Sequence, residues 1–197
     1  VPDLVSAEPR TLRVAGIAGS LRAGSFNRAL LRAARALAPA GMEIVVFDGL
    51  REIPPYDADA DAAGEPTPVA ALRRAIREAD ALLVATPEYN YGVPGVLKNA
   101  IDWASRPAGS AALQRKPAGI LGASTGPSGT MRAQLALRQS FNFTETYAML
   151  RPEIFIARAG EKFDAAGELT DEATREHLRQ FLTAFENWAR KFAASSA

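Results

Sequence analysis

The sequence predicts an α/β protein of three layers: a five-stranded parallel sheet in the order 2-1-3-4-5 with helices on both faces. Three observations carry that prediction. Short, continuously apolar runs recur along the chain, as strands buried on both faces require. Each is followed by a stretch with helical spacing of its apolar residues, and alternation of this kind implies right-handed crossovers. With 197 residues, 48% of them hydrophobic and 23% charged, the chain suits one compact domain over 1–197, in which 1–11 reads as a flexible N-terminal extension.

The first strand is "RVAGIA", Arg13 to Ala18, stopped by Gly19 and Ser20. Phe26 to Leu37 places Leu30, Leu31, Ala34 and Leu37 on one stripe with Arg28, Arg32 and Arg35 off it, and Pro39 to Gly41 closes that helix. "EIVVFD", Glu43 to Asp48, is the second strand. Gly49 to Pro66 is rich in Pro, Asp and Ala without periodicity and reads as a long loop at the sheet edge. Thr67 and Pro68 read as N-cap and first residue of a helix through Glu78, before the third strand, "ALLVAT", Ala81 to Thr86. A helix over Gly95 to Ser105, a strand over Ala118 to Ala123, a helix over Thr130 to Phe141 and a fifth strand over Glu153 to Ala157 follow. The last helix, after Asp171, shows Leu178, Phe181, Leu182, Phe185, Trp188 and Phe192 on one face and so packs on the sheet. This is the flavodoxin-like strand order, in which a ligand sits beyond the carboxyl ends of the strands where the order reverses, here between strands one and three.

Composition narrows the chemistry. Lys and Arg number 23 against 22 acids, so the net charge of +1 offers no general attraction for nucleic acid or an anionic membrane. The absence of Cys excludes disulfides, thiol nucleophiles and Cys-based metal sites, and no metal centre is expected. The single histidine, His177, lies in a charged stretch far from the glycine-bearing turns and reads as a surface residue. Any redox chemistry must therefore go through a bound cofactor. No apolar window approaches the length of a membrane span, and no signal-peptide pattern opens the chain, so a cytoplasmic setting is expected.

The turn "GSLRAGSFN", Gly19 to Asn27, joins a strand to a helix start, where unpaired backbone N–H groups favour an anion. Ser20, Ser25 and Asn27 can each donate a hydrogen bond and Arg22 adds a permanent cation suited to phosphate oxygens. A helix cap at Ser25 or Asn27 and a simple turn at Gly19 account for the same residues. A triphosphate-binding transferase is disfavoured, because Ser25 and Phe26 follow Gly24 where a Walker lysine would stand. A dinucleotide fingerprint starting at Gly16 lacks glycines at Ala18 and Leu21, though Asp48 at the end of strand two suits a ribose. After strand three, "PEYNYGVPG" combines flat apolar walls with an irregular backbone able to read the polar edge of a heteroaromatic ring. Tyrosines packing on their own sheet explain it equally, and the residues alone leave both readings open.

Taken together, "GSLRAGSFN", "PEYNYGVPGVLKNAIDW" and "GASTGPSGTMRAQLALRQ", in that order between Gly16 and Gln139, resemble the NAD(P)H-dependent FMN reductase family, which includes quinone, chromate and azo-dye reductases. The resemblance implies that Ser20, Arg22, Ser25 and Asn27 hold the FMN phosphate, and that Glu88, Tyr89, Asn90 and Gly92 line the isoalloxazine through main-chain and side-chain contacts. It puts Pro87 and Tyr91 beside the ring and Ser124 and Gly126 on the flavin's other side. NADPH or NADH would then pass hydride to FMN, and a quinone, chromate, azo or free-flavin acceptor would take the electrons, with no side chain acting as nucleophile or essential base. An electron carrier of flavodoxin type, lacking NAD(P)H oxidation of its own, is the rival reading, against which the near-neutral charge counts. The resemblance also implies a homodimer or homotetramer. Val93, Val96, Leu97, Ile101 and Trp103 suit either that contact or an ordinary core.

Overall fold

The computed structural model describes residues 10–193, so most of the expected flexible extension lies outside the described residues. Strands β1 (Leu12–Ala18), β2 (Met42–Phe47), β3 (Ala81–Ala85), β4 (Pro117–Ala123), β5 (Tyr147–Ala148) and β6 (Ile154–Ile156) form one sheet. Its order is β2-β1-β3-β4-β5, with β6 also pairing β4, and every pairing is parallel. The helices are α1 (Phe26–Ala36), α2 (Ala58–Ala63), α3 (Thr67–Arg77), α4 (Gly95–Ala104), α5 (Met131–Phe143) and α6 (Glu172–Ala193).

The alternation of side chains along each strand divides the core into two layers. Leu12 and Val14 of β1 and Leu83 of β3 face α1 and α6, joined by Leu30, Leu31, Phe181 and Phe185. Ala15 and Ile17 of β1 and Leu82 and Val84 of β3 face the opposite side, against Leu72, Leu97, Trp103 and Phe141 of α3, α4 and α5. The apolar residues of α4 and of the turn before it divide accordingly: Leu97, Ile101 and Trp103 are buried in the core, while Val93 and Val96 are half-buried. His177 is exposed on α6.

Two sequence expectations need correction. The stretch 49–66 is not a structureless loop: it holds a 3-10 turn (Gly49–Glu52) and α2, which Asp57 starts by accepting from the amide of Asp59 at 2.8 Å. Arg73, only 3% exposed, pins this segment by donating to Glu65 (2.7 Å), Asp61 (3.1 Å) and the Trp103 carbonyl (3.0 Å). The fifth strand position is also shared, by the short β5 and then by β6, which pairs with β4 further along. Between them the chain leaves the sheet, and Arg138 holds the departure by donating to the Met149 carbonyl at 2.9 Å.

At the amino edge of the sheet Arg10 donates to Asp80 at 2.9 Å and the Arg13 amide to the same carboxylate at 2.8 Å. At the carboxyl edge Ala18 of β1 pairs with Ala85 of β3 and Leu121 of β4 pairs with Ala85, so the three strands end close together. The turns that follow them emerge side by side at the topological switch point.

Candidate functional site

Strand β1 ends at Ala18 and α1 begins at Phe26, and the turn between them is built around its own hydroxyls. Ser25, 5% exposed, caps α1 by accepting from the Asn27 amide at 3.2 Å. The amides of Phe26 and Arg28, in the same first turn, meet no acceptor among the described residues, which leaves α1 with donors to offer an anion. Ser20, 3% exposed, lies 3.4 Å from the Tyr89 hydroxyl, and this contact joins the first turn to the one after β3. Arg22 is exposed and donates to the Gly24 carbonyl at 3.2 Å.

Asn27 has a structural partner that its place in the sequence does not show. Its Nδ2 donates to the Ala123 carbonyl at 2.8 Å and its Oδ1 accepts from the Ala123 amide at 2.9 Å, so both ends of the buried side chain are committed to the end of β4. It borders the cleft described below as a brace between α1 and β4, and the second hydrogen of its Nδ2 is the part of the amide left for a phosphate.

After β3, Tyr89 and Gly92 exchange backbone hydrogen bonds of 3.1 and 2.9 Å. The two residues between them, Asn90 (φ 50°) and Tyr91 (φ 65°), take the left-handed conformation that such a tight hairpin demands. Their amides meet no acceptor among the described residues. Glu88 turns away from the hairpin. Its Oε2 accepts from the backbone amides of Arg132 (2.9 Å) and Ala133 (3.2 Å), and its Oε1 from the Arg132 guanidinium (3.1 Å). The carboxylate of Glu88 thus serves the start of α5, and the residue also borders the cleft. Arg132 in turn lies over the Tyr91 ring, its Cζ 4.1 Å from the centroid.

The third turn, after β4, depends on two glycines. A Cβ at Gly122 would run into the Thr130 hydroxyl and the Thr86 carbonyl, and Gly129 has φ +59° with the Phe155 backbone against it. Ser124 folds back to accept from the Gly126 amide at 3.1 Å.

The three turns enclose one cleft of about 350 Å³. Ser20, Arg22, Ser25 and Asn27 line it from the first turn, Pro87, Glu88 and Tyr89 from the second, and Ser124 from the third. Phe26, Ala123 and Thr125 join them, of which sequence reasoning named none as site residues. Asn90, Tyr91 and Gly92 form the hairpin beside the cleft, and Gly126 stands behind Ser124; none of these four borders the cavity itself. Arg132 was missed because nothing around it on α5 marks it, and its partners lie in another turn. Among the described residues no group of three or more His, Cys, Asp or Glu could hold a metal, and no helix is long and apolar enough to cross a membrane.

Residues 12–161 match the family model described as NADPH-dependent FMN reductase. The chain is 50% identical over 180 residues to an NAD(P)H-dependent FMN reductase of Pseudomonas aeruginosa, covering 91% of this chain and 96% of that one. It is 40% identical over 179 residues to a 2-hydroxy-1,4-benzoquinone reductase of a Burkholderia species, covering 91% and 97%. Among solved structures, the flavoenzyme NAD(P)H:(acceptor) oxidoreductase FerB from Paracoccus denitrificans superposes with a TM-score of 0.85 at 37% identity, over 92% of this chain and 99% of that one.

Proposed function

Because the chain belongs to the NADPH-dependent FMN reductase family, we propose that the cleft at the ends of β1, β3 and β4 is where its FMN sits. The protein is an FMN-dependent NAD(P)H oxidoreductase, with quinone or flavin acceptors. The observation that carries the assignment to this cleft is the union of a helix start bearing free amides, two buried hydroxyls and an arginine with Pro87 and Tyr89 of the aromatic turn, in one space of about 350 Å³.

The residues suit the cofactor. The free amides of α1, the hydroxyls of Ser20 and Ser25 and the guanidinium of Arg22 form a donor set for a phosphate dianion. Pro87, Tyr89, Ser124 and Thr125 line the space offered to the flat ring. A ring whose polar edge extends past the cavity to the hairpin beside it would meet the unpaired amides of Asn90 and Tyr91, Gly92 closes that hairpin, and the Gly126 amide holds Ser124 in the wall. FMN, when bound, accepts hydride from NAD(P)H and delivers the electrons to the acceptor. The chain's own part is to grip the phosphate, hold the ring with one face open, and offer fixed dipoles toward the charge that arrives on it. No side chain is assigned as nucleophile or general base.

Purified protein should show a flavin absorption spectrum or take up added FMN, and an anaerobic titration with NADPH or NADH should bleach that spectrum without a helper reductase. A colourless protein that binds no FMN would end this reading. Self-association and a cytoplasmic setting belong to the proposal as well. The first is supported by the exposed apolar Met131, Leu135 and Phe143 of α5 and by Leu150 near them in the chain.

A further inference from the structure

Helix α5 begins without a local cap. Thr130 precedes it, but its hydroxyl accepts from Gln134 Nε2 at 3.0 Å and caps nothing. The unpaired first-turn amides go to a carboxylate 44 positions earlier in the chain, that of Glu88, whose other oxygen takes the Arg132 guanidinium. Glu88 is 9% exposed and Arg132 is 40% exposed at the side chain, and the guanidinium also covers the ring of Tyr91. One buried carboxylate thus ties the start of α5 to both ends of the segment 88–91 beside the cleft. It also balances two positive sources there, the arginine and the exposed start of a helix dipole. Two helix starts are treated in opposite ways: α1 keeps first-turn amides open to an anion, and α5 is closed by Glu88.

We propose that Glu88 is a positioning residue that acts on the bound flavin through Arg132 and α5, cancelling their positive charge and thereby setting the redox potential of the ring. This rests on the FMN reading above. Reduction adds negative charge to the ring, so any positive charge left uncompensated beside it favours the reduced form, and any uncompensated negative charge favours the oxidised form.

The test is the midpoint potential of protein-bound FMN in the wild type, Glu88→Gln, Arg132→Met and the double variant, with FMN dissociation constants and apoprotein melting temperatures alongside. Glu88→Gln is expected to raise the potential and Arg132→Met to lower it, with the double variant returning close to the wild type. A cap of purely structural importance would lower the melting temperature while leaving the potential unmoved, or would move both single variants in the same direction; either result overturns the proposal. If Glu88→Gln does not fold, Arg132→Met alone decides, since an unchanged or raised potential in that variant contradicts the charge balance. Wild-type protein that takes up no FMN would overturn the flavin reading and this inference with it. Wild type and variants that all bind FMN at one common potential would overturn only the inference.

Discussion

Asn27 and Arg22 sit five positions apart in one turn and do different work. Asn27 gives one Nδ2 hydrogen and its Oδ1 to Ala123, so Asn27→Ala strands a buried N–H and a buried C=O. Unmet buried groups cost about 1–3 kcal/mol each, partly recovered by relaxation, and a loss of about 2–3 kcal/mol in urea unfolding is expected. Arg22 is exposed and bonds only a carbonyl within its own turn, which leaves guanidinium donors for a phosphate. Arg22→Ala should weaken FMN about tenfold, the size of one charge-assisted hydrogen bond, while riboflavin, which lacks the phosphate, binds unchanged in a fluorescence titration. The sequence displays donor types and their spacing along the turn, so Ser20, Arg22 and Ser25 were legible as a polar cluster. The structural partners of Asn27 and Glu88 were not legible for a common reason: they stand 96 and 44 residues away.

Elements follow the same logic at longer range. The major helices and the four long strands were legible because apolar spacing within a dozen residues determines them. Helix α2 was not, because its apolar residues are all alanine and its stability comes from the Asp57 cap and from Arg73 on a different helix. Replacing Arg73 by Met should therefore speed amide hydrogen exchange across residues 58–66 while leaving the turn 19–27 protected as in the wild type, measured by mass spectrometry. Strand β5 was overlooked since two residues carry no periodicity at all. At the start of α6, Asp171 accepts from the hydroxyl of Thr174, from Lys162 (2.9 Å) and from the Thr174 amide (3.0 Å). These bonds, led by the hydroxyl, hold its carboxyl at about 2 instead of the ordinary 3.8. Because the folded value is the lower one, the cap's contribution is complete above about pH 4 and is lost as the pH falls through about 2. A carbon-detected NMR titration should find that midpoint, and Asp171→Asn should remove the pH dependence that Asp171 confers.

At the scale of the whole molecule, the partition of apolar residues separates what folds the chain from what remains for a neighbour. Leu97, Ile101 and Trp103 are consumed by the core, whereas Leu135 is 53%, Leu150 70% and Phe143 81% exposed. The paired substitution Leu135→Glu with Leu150→Glu is thus expected to reduce a self-associated wild type to its 21.0 kDa unit in sedimentation velocity, with little change in urea stability. The sheet's own borders show a different asymmetry. On one flank the position next to β4 is occupied by fragments of two and three residues with an excursion between them, too short to template another chain. On the opposite flank β2 offers six consecutive residues. Among the described residues, fibril growth by strand addition therefore has the β2 side to start from, and a lysine placed at the exposed Val45 would guard the molecule where it is open to that fate.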